Sequence, residues 1–314
     1  MAQQFEPAYV DLLRSGELKL RVAAAYARLE VCDICPRECG VNRLESAEGA
    51  GCRTGERALV SSFGPHFGEE DPLVGRGGSG TIFFAWCNLR WQFCQNADIR
   101  QLGHGHDVEP EELAELMLSL ESRGCHNINF VSPSHVVPQI LAGLLIAAAA
   151  GLRLPLVYNT GGYDSLATLA LLDGVVDIYM PDMKYADAEV AQRYSKVPNY
   201  PAVNLAAVKE MHRQVGDLSM DGHGVAQRGL LVRHLVLPKG LAGTEHVVGF
   251  LRDRISPATY INVMQQYRPC YRAHELPDLN RVLNRQEYAD AVQLAQDAGL
   301  RLDQRRARLL WALR

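Results

Sequence analysis

A short apolar run that leads into a cysteine-bearing loop is the part of the chain that decides the fold. The run is Ser79-Gly80-Thr81-Ile82-Phe83-Phe84-Ala85-Trp86, and the loop is Cys87-Asn88-Leu89-Arg90-Trp91-Gln92-Phe93-Cys94. The branched and aromatic residues from Thr81 to Trp86 predict a buried β-strand. Two thiols therefore follow the end of a strand, and Trp91 stands between them.

Six such runs predict strands, and helical patterns lie between them. The predicted strands cover 81–86, 127–132, 154–160, 176–181, 230–237 and 259–265. The first predicted helix is capped by Asp107 and closed by Gly124, and the others cover 136–150, 164–172, 200–214, 244–254 and 286–298. Alternating strands and helices imply parallel pairing with the helices outside. We therefore expect an α/β protein with a partial (β/α)6 TIM-like barrel, and a doubly wound sheet is the alternative.

The glycine-rich turn from Gly75 to Gly80 is the clearest boundary in the chain. It separates an N-terminal helical and cysteine-rich segment, residues 1–75, from the barrel, residues 76–314. A glycine-rich turn can also cradle a phosphate, but such turns open a helix, whereas this one precedes a strand. The sequence therefore favours a boundary over a phosphate site.

The composition is typical of a globular enzyme. The chain has 314 residues, 47% hydrophobic and 22% charged, which is enough for one large core with an appended module. A net charge of -4 gives no reason to expect nucleic acid as a partner. No secretory signal opens the chain, and the longest apolar run, 140–150, is too short for a bilayer. Eight cysteines in such a chain indicate metal or redox chemistry, and we expect a cytoplasmic protein without a membrane partner.

Four of these cysteines form a spaced set in the front segment, Cys32-x2-Cys35-x3-Cys39-x12-Cys52. Four thiolates can close a tetrahedral zinc site or hold every iron of an auxiliary iron-sulfur cluster. Neither arrangement leaves a position for substrate, so we predict a structural or electron-relay metal site. The spacing is compatible with either a zinc site or an iron-sulfur cluster. The alternative is that the four thiols bind no metal.

A series of motifs in order along the chain resembles one family. Besides the stretch from Ser79 to Asn96, they are Cys35-Pro36-Arg37, Gly40-Val41-Asn42-Arg43, His126-Asn127-Ile128-Asn129, Tyr158-Asn159-Thr160, Met180-Pro181-Asp182-Met183-Lys184-Tyr185, Val232-Arg233-His234-Leu235-Val236-Leu237-Pro238 and Gln266-Tyr267-Arg268-Pro269-Cys270-Tyr271-Arg272-Ala273-His274. Together they resemble radical S-adenosylmethionine (SAM) enzymes, and most closely the proteins that are like pyruvate formate-lyase activating enzyme. The resemblance implies a barrel of the radical SAM type with a 4Fe-4S cluster and SAM as cofactors.

The resemblance gives the cysteine loop a role. In that family a C-x3-C-x2-C loop holds three irons of the cluster and leaves the fourth to SAM. Cys87 and Cys94 match the outer two ligands, and Phe93 matches the residue that packs near the adenine. Trp91 occupies the middle position, and its indole nitrogen is a donor that has no lone pair for a metal. A third ligand would have to come from elsewhere, and Cys125 and Cys270 are the unassigned thiols.

The same resemblance implies where SAM binds. Asn159 and Thr160 match the polar pair on the ribose and cation sides, at the end of the third strand. Asp182 and Lys184 end the fourth strand, where residues two apart point to the same face, so the pair can hold a cation and the carboxylate of SAM. The alternative is an exposed salt bridge of little consequence. Arg233 lies within an apolar strand, and its buried charge needs SAM or Asp182 as partner.

Two further groups of residues face the same edge. Ser132-Pro133-Ser134-His135 stands where many radical SAM proteins bind the methionine amino group, although His135 can equally cap the following helix. Cys270 and His274 follow the sixth strand and are candidate catalytic residues that would face substrate. For Cys270 the alternative is a small buried hydrophobe.

Two classes of function compete. In the first, the protein is an oxidoreductase that cleaves SAM to a 5'-deoxyadenosyl radical, and the resemblance implies a glycyl-radical enzyme as protein substrate and a reductant such as flavodoxin. In the second, it is a catalytically silent radical SAM-fold protein with a binding or regulatory role, because Trp91 replaces a cluster ligand. Ordinary hydrolysis is disfavoured, since no nucleophile lies beside a base in a recognisable turn.

Overall fold

The computed structural model describes residues 5–303. Its strands are β1 (Ala58–His66), β2 (Ser79–Phe84), β3 (His106–Val108), β4 (Ile128–Val131), β5 (Leu156–Thr160), β6 (Ile178–Pro181), β7 (Ser219–Met220), β8 (Ala226–Leu235), β9 (Tyr260–Met264) and β10 (Arg301–Leu302). Its helices are α1 (Tyr9–Ser15), α2 (Glu17–Ala27), α3 (Asp71–Val74), α4 (Ala97–Arg100), α5 (Pro110–Ser122), α6 (Val137–Ala149), α7 (Leu166–Leu172), α8 (Ala188–Ser195), α9 (Tyr200–Val215), α10 (Thr244–Phe250) and α11 (Arg285–Asp297). A π turn, Leu251–Ile255, extends α10, and two 3-10 turns cover Pro238–Gly240 and Tyr271–Glu275.

Six parallel strands form the centre of the sheet in the order β2-β4-β5-β6-β8-β9, which is also their order along the chain. A doubly wound sheet would reverse its strand order at a switch point, and this sheet does not. Beyond these six, β1 pairs antiparallel with β2 and β10 pairs parallel with β9, so that β3 and β10 are the outer edges and the barrel stays open. The expected α/β partial barrel with six parallel strands is confirmed.

The outer elements differ from expectation. Asp107 does not cap a helix; it lies in β3 and pairs with Leu59, and α5 starts after Glu109, whose side chain forms a capping box with Glu112. The strands β1 and β3 are absent from the sequence prediction, because β1 carries serine, glycine and proline within its nine residues and β3 has only three. Propensity is a weak guide to short or irregular strands of this kind.

Side chains on the parallel strands alternate between two buried layers. On the outer face, residues such as Tyr158 and Val232 pack beneath the helices. On the inner face, Val157 and Leu231 pack around Leu73, which α3 inserts from below. The amino-terminal part of the inner face is therefore filled by buried side chains, and the open space lies at the carboxyl ends of the strands.

The front segment packs against the barrel at two places. Helices α1 and α2 contact α6, and β1 extends the barrel sheet through its pairing with β2. The proposed division at residue 75 stays a prediction. Within residues 5–303, every helix is too short or too polar to cross a bilayer.

The glycine-rich turn is held by a histidine. The ring nitrogen Nε2 of His126 accepts hydrogen bonds from the backbone amides of Arg76 and Gly77, both at 3.0 Å. A Cβ atom on Gly77 would overlap the carbonyl oxygen of Gly124, which explains the glycine at this position. Since His126 takes these two amide donors, they are not free for a phosphate.

Candidate functional site

A cavity of about 130 Å³ lies at the carboxyl ends of the parallel strands. Its walls come from the cysteine loop, from the ends of β6, β8 and β9, and from α4, and are formed by Trp91, Phe93, Cys94, Gln95, Asn96, Arg100, Asp182, Lys184, Arg233, Leu235, Met264 and Gln266. In barrels built from parallel strands, this edge carries the chemistry. Phe93, Asp182, Lys184 and Arg233 were all predicted to meet here, and the structure brings them together.

Asp182 is the centre of a buried ionic network. Lys184 Nζ donates to its Oδ1 at 2.9 Å, and Arg233 Nε donates to the same oxygen at 3.1 Å. Arg233 also donates through Nη2 to Oδ1 of Asn159 at 2.6 Å. The side chains of Asp182 and Lys184 are only 3% and 5% exposed, so this is a buried network and not an exposed salt bridge.

The two cations control the charge of Asp182. Burial raises the pKa of this carboxyl, but Arg233 and Lys184 outweigh burial, and the pKa is lowered overall. For Lys184 the balance is reversed, because burial lowers its pKa more than Asp182 raises it. Asp182 is therefore ionised at neutral pH, and the cavity walls carry three cationic side chains, with Arg100 as the third, against one carboxylate.

Two acids that the sequence analysis did not single out lie beside Arg233. Oε2 of Glu69 is 4.0 Å from Nη1 of Arg233, and Oε1 of Glu70 accepts a hydrogen bond from Asn262 at 2.9 Å. Burial, followed by the neighbouring Glu70, raises the pKa of Glu69 to about 7. A carboxyl that titrates near neutral pH thus adjoins the guanidinium of the site.

Trp91 fills the middle of the cysteine loop with an indole. Its ring lies parallel to that of Phe93, with centroids 6.2 Å apart, and Lys184 Nζ lies 5.2 Å from the ring centroid. The indole nitrogen Nε1 is buried and has no hydrogen-bond partner among the described residues. Burial raises the pKa of both neighbouring thiols, Cys87 and Cys94.

The donor set of this loop does not fit a cluster held by three thiolates. Cys87 and Cys94 supply two sulfurs, and the third position is an aromatic ring without a metal-binding lone pair. Cys125 cannot substitute, because it packs beside Gly80 near the amino-terminal end of β2, opposite the loop. Among residues 5–303, no three His, Cys, Asp or Glu side chains converge closely enough to hold a metal ion.

Some predicted residues lie away from the cavity. Thr160 follows Asn159 on β5 and therefore points to the opposite face, where it donates to Asp164 Oδ2 at 2.6 Å and meets Ser134 at 2.9 Å. His135 is buried against the carbonyl of Ala85, and burial lowers its pKa to about 3. The structure does not bring these residues to the cavity, and the cofactor role of Thr160 stays a prediction.

The candidate catalytic residues also lie outside the cavity walls. Cys270 precedes the 3-10 turn after β9 and is half-buried, whereas His274 is exposed and its Nδ1 lies 3.3 Å from Oδ1 of Asn280. Their catalytic roles stay predictions. His234, by contrast, points to the outer face, where its Nδ1 meets the carbonyl of Met183 at 2.7 Å.

The four front thiols lie in one loop region that contacts the barrel loop. Burial raises the pKa of Cys35 to about 12, and the three other thiols are close enough to add to the shift. Arg37 Nε donates to the carbonyl of Asn88, and Arg90 Nη2 donates to that of Gly51. The two cysteine groups are thus joined by reciprocal arginine contacts, which the sequence alone did not reveal.

The chain is similar to several known proteins. No protein-family model matches it. It is 33% identical over 301 residues to the uncharacterized protein MJ0674 of Methanocaldococcus jannaschii, a match that covers 93% of this chain and 82% of that protein.

Two solved structures are similar at 11% identity. One is a radical SAM methyltransferase from Sphaerobacter thermophilus, with a TM-score of 0.45 over 71% of this chain and 65% of that one. The other is Streptococcus suis SuiB bound to precursor peptide SuiA, with a TM-score of 0.47 over 69% of this chain and 46% of that one. The matched part is less than two thirds of either solved chain, and these TM-scores are too low to carry an argument about function.

Proposed function

The chain belongs to the family of the uncharacterized M. jannaschii protein MJ0674, and from this premise and the geometry of the cavity we propose that it is a radical SAM-type protein that binds S-adenosylmethionine. The observation that carries the proposal is the ionic network of Asp182, Lys184 and Arg233 at the carboxyl ends of β6 and β8. These charges are buried beside an aromatic wall, where an amphoteric ligand can pair with them.

The methionine end of SAM suits the interior of the cavity. An ammonium group has three donors, and Lys184 uses one on Asp182 and keeps others for a ligand carboxylate. Arg233 is already bonded to Asp182 and Asn159, so its role is to position the carboxylate of Asp182, which can accept from a ligand amino group. Phe93 adds an aromatic surface at the same wall, as the resemblance implies for the adenine.

The cavity is large enough to enclose only part of a SAM molecule. Small-molecule pockets usually measure about 300–1,000 Å³, whereas this one is about 130 Å³. The methionine end therefore fits inside and the nucleoside remains at the open edge. Trp91 forms part of the cavity wall next to Lys184.

Binding without efficient cleavage is the form of the proposal that the donor set supports. The Cys87 and Cys94 thiols do not complete a three-thiolate site, so the chain as it stands is a SAM-binding protein of impaired or silent chemistry. A second candidate, reductive cleavage of SAM to act on a glycyl-radical enzyme with a reductant such as flavodoxin, is favoured only by the position of these two thiols at the cavity. It requires a third ligand.

Calorimetry tests the binding proposal. We expect SAM to bind to the wild-type protein and Lys184→Met to weaken it by about 10- to 100-fold, since a hydrogen bond to a charged group contributes about 1.5–3 kcal/mol. Lys209→Met, on the exposed surface of α9, is the matched control and should bind as the wild type does. Methylthioadenosine, which lacks the amino acid end, should bind equally to all three. If SAM does not bind, or if Lys184→Met leaves its affinity unchanged, the proposal is wrong.

A further inference from the structure

Arg43 is a guanidinium buried without a carboxylate. It is 1% exposed, and its Nε donates to the carbonyl of Thr54 at 2.6 Å. Nη2 donates to the carbonyls of Gly55 and His135 at 3.2 and 2.9 Å. Nη1 points at the sulfur of Cys32, 3.7 Å away. Within residues 5–303, Arg43 forms no ion pair with Asp or Glu, so the sulfur is its only ionisable neighbour at hydrogen-bonding distance.

A buried positive charge of this kind needs an anion. Carbonyl dipoles satisfy the donors of a guanidinium but leave its net charge in place, and an uncompensated buried ion costs several kcal/mol. Arginine does not escape this cost by losing its proton. The compensating charge must therefore come from the ionisable group that Arg43 touches, the thiol of Cys32 in the front loop.

A second arginine indicates the same anion independently. Arg37 donates through Nε to the carbonyl of Asn88, but its Nη2 is buried and lacks any hydrogen-bond partner in the described part of the chain. Arg37 lies beside Cys39, because a Cβ built on Gly51 would meet Arg37 Cδ at 2.7 Å and Cys39 Sγ at 3.5 Å. The amide of Gly51 also donates to Cys39 Sγ, at 3.2 Å. Donors thus surround the thiols as they would surround thiolates.

We propose that Cys32, Cys35, Cys39 and Cys52 are the four thiolate ligands of a closed, negatively charged metal centre, and that Arg43 is its buried counter-ion. Four thiolates outnumber the positive charges of Zn²⁺, so the centre retains the negative charge that Arg43 requires. A cluster with four thiolate ligands meets the same requirement. Among residues 5–303, no three of these sulfurs converge closely enough to hold an ion, so metal binding must draw the four thiols of the loop together.

Metal retention is the first test. Full-length protein is purified without oxygen in a Cys87→Ser/Cys94→Ser background, so that iron at the barrel loop cannot contribute, and zinc, iron and sulfide are measured per chain. The wild-type front loop should hold one metal centre per chain, and Arg43→Met should lose it to a chelator at least tenfold faster. Arg28→Met is the control, because Arg28 lies close in sequence but is paired with Asp33 at 2.9 Å. No metal in the wild-type front loop, or equal loss rates in all three proteins, would overturn the proposal.

Thermal unfolding distinguishes a counter-ion from an arginine that only packs, because only a counter-ion makes the order of the unfolding temperatures depend on bound metal. With metal bound, Arg43→Met should unfold at a lower temperature than the parent protein, because the centre has lost its counter-ion. After chelation the order should reverse, because Arg43 is then a buried charge without a partner, whereas the methionine side chain of the variant carries no charge. If Arg43→Met does not fold, Arg43→Lys retains the charge but not the forked donors, and it should keep the metal while releasing it faster. An unchanged order after chelation would assign Arg43 to packing alone and refute its role as counter-ion.

Discussion

Replacing Asp182 by Asn should destabilise the protein more than any exposed charge change. The substitution keeps the size of the side chain but removes the negative charge that Lys184 Nζ and Arg233 Nε share at 2.9 and 3.1 Å. Both cations would then remain in a site where Asp182 is 2% exposed. Removing one partner of a buried ion pair costs about 3–5 kcal/mol, which is a large part of a total stability of about 5–15 kcal/mol.

The expected loss lies toward the lower end of that range. Burial already lowers the pKa of Lys184, so this residue can release its proton when Asp182 is neutralised, whereas Arg233 cannot. Adding Lys184→Met to Asp182→Asn should therefore recover about 1 kcal/mol or more, because residues in one network couple by about 0.5–3 kcal/mol. Asp182 is thus expected to contribute to the stability of the fold, separately from the ligand-binding role that we propose for it.

Urea unfolding followed by circular dichroism at neutral pH measures these changes. Asp173→Asn is the matched control, because its carboxylate pairs with Arg213 at 2.6 Å on the exposed surface, where a pair contributes about 0–1 kcal/mol. A loss for Asp182→Asn no larger than that of Asp173→Asn would refute the buried-network argument. The argument would also be refuted if the double variant Asp182→Asn/Lys184→Met lost more unfolding free energy than the two single variants lose together.

Three other changes test separate features. Trp91→Cys should raise iron and sulfide per chain and 5'-deoxyadenosine formation in protein that lacks the front thiols, since it completes the three-thiolate set; equal values for both proteins would indicate an unrecognised third ligand. The stability of Glu69→Gln relative to the wild type should increase as pH rises from 4.5 through about 7. The wild type loses stability over this range, because its folded state still binds a proton at Glu69 that the unfolded state has released; parallel stability curves between pH 5 and 8 would exclude this. Gly77→Ala should prevent stable folding, because its Cβ overlaps the carbonyl of Gly124, whereas Gly249→Ala, with open space around its Cβ, should be neutral or stabilising in a melting experiment.

The parts of this molecule that could be predicted from sequence are those that depend on neighbours along the chain. The six parallel strands were predicted because each is a run of branched or aromatic residues, and Asp182, Lys184 and Arg233 because strand ends meet at one edge. The alternation of side chains also explains why Thr160 lies opposite Asn159, a consequence available from the sequence but not drawn from it.

The remaining features depend on contacts between distant residues. Glu70 reaches Asn262 across 192 positions, and Arg43 reaches the carbonyl of His135 across 92. Arg37 and Arg43 belong to the motifs Cys-Pro-Arg and Gly-Val-Asn-Arg. Their positions among the cysteines could have indicated a role near the thiolates, because arginines interleaved with cysteines suggest charge compensation. Without the fold, an exposed position for both was equally consistent with the sequence.

The packing around Leu73 on the inner face of the sheet has a consequence for the rates of ligand binding. Since Leu73 and its neighbours fill part of the inner face at the amino-terminal end, a ligand reaches the cavity from the carboxyl ends of the strands, where Trp91 and Phe93 form part of its wall. A larger side chain beside Trp91 or Phe93 should therefore slow both the entry and the exit of a ligand. Such a change would alter the rates of association and dissociation more than the affinity.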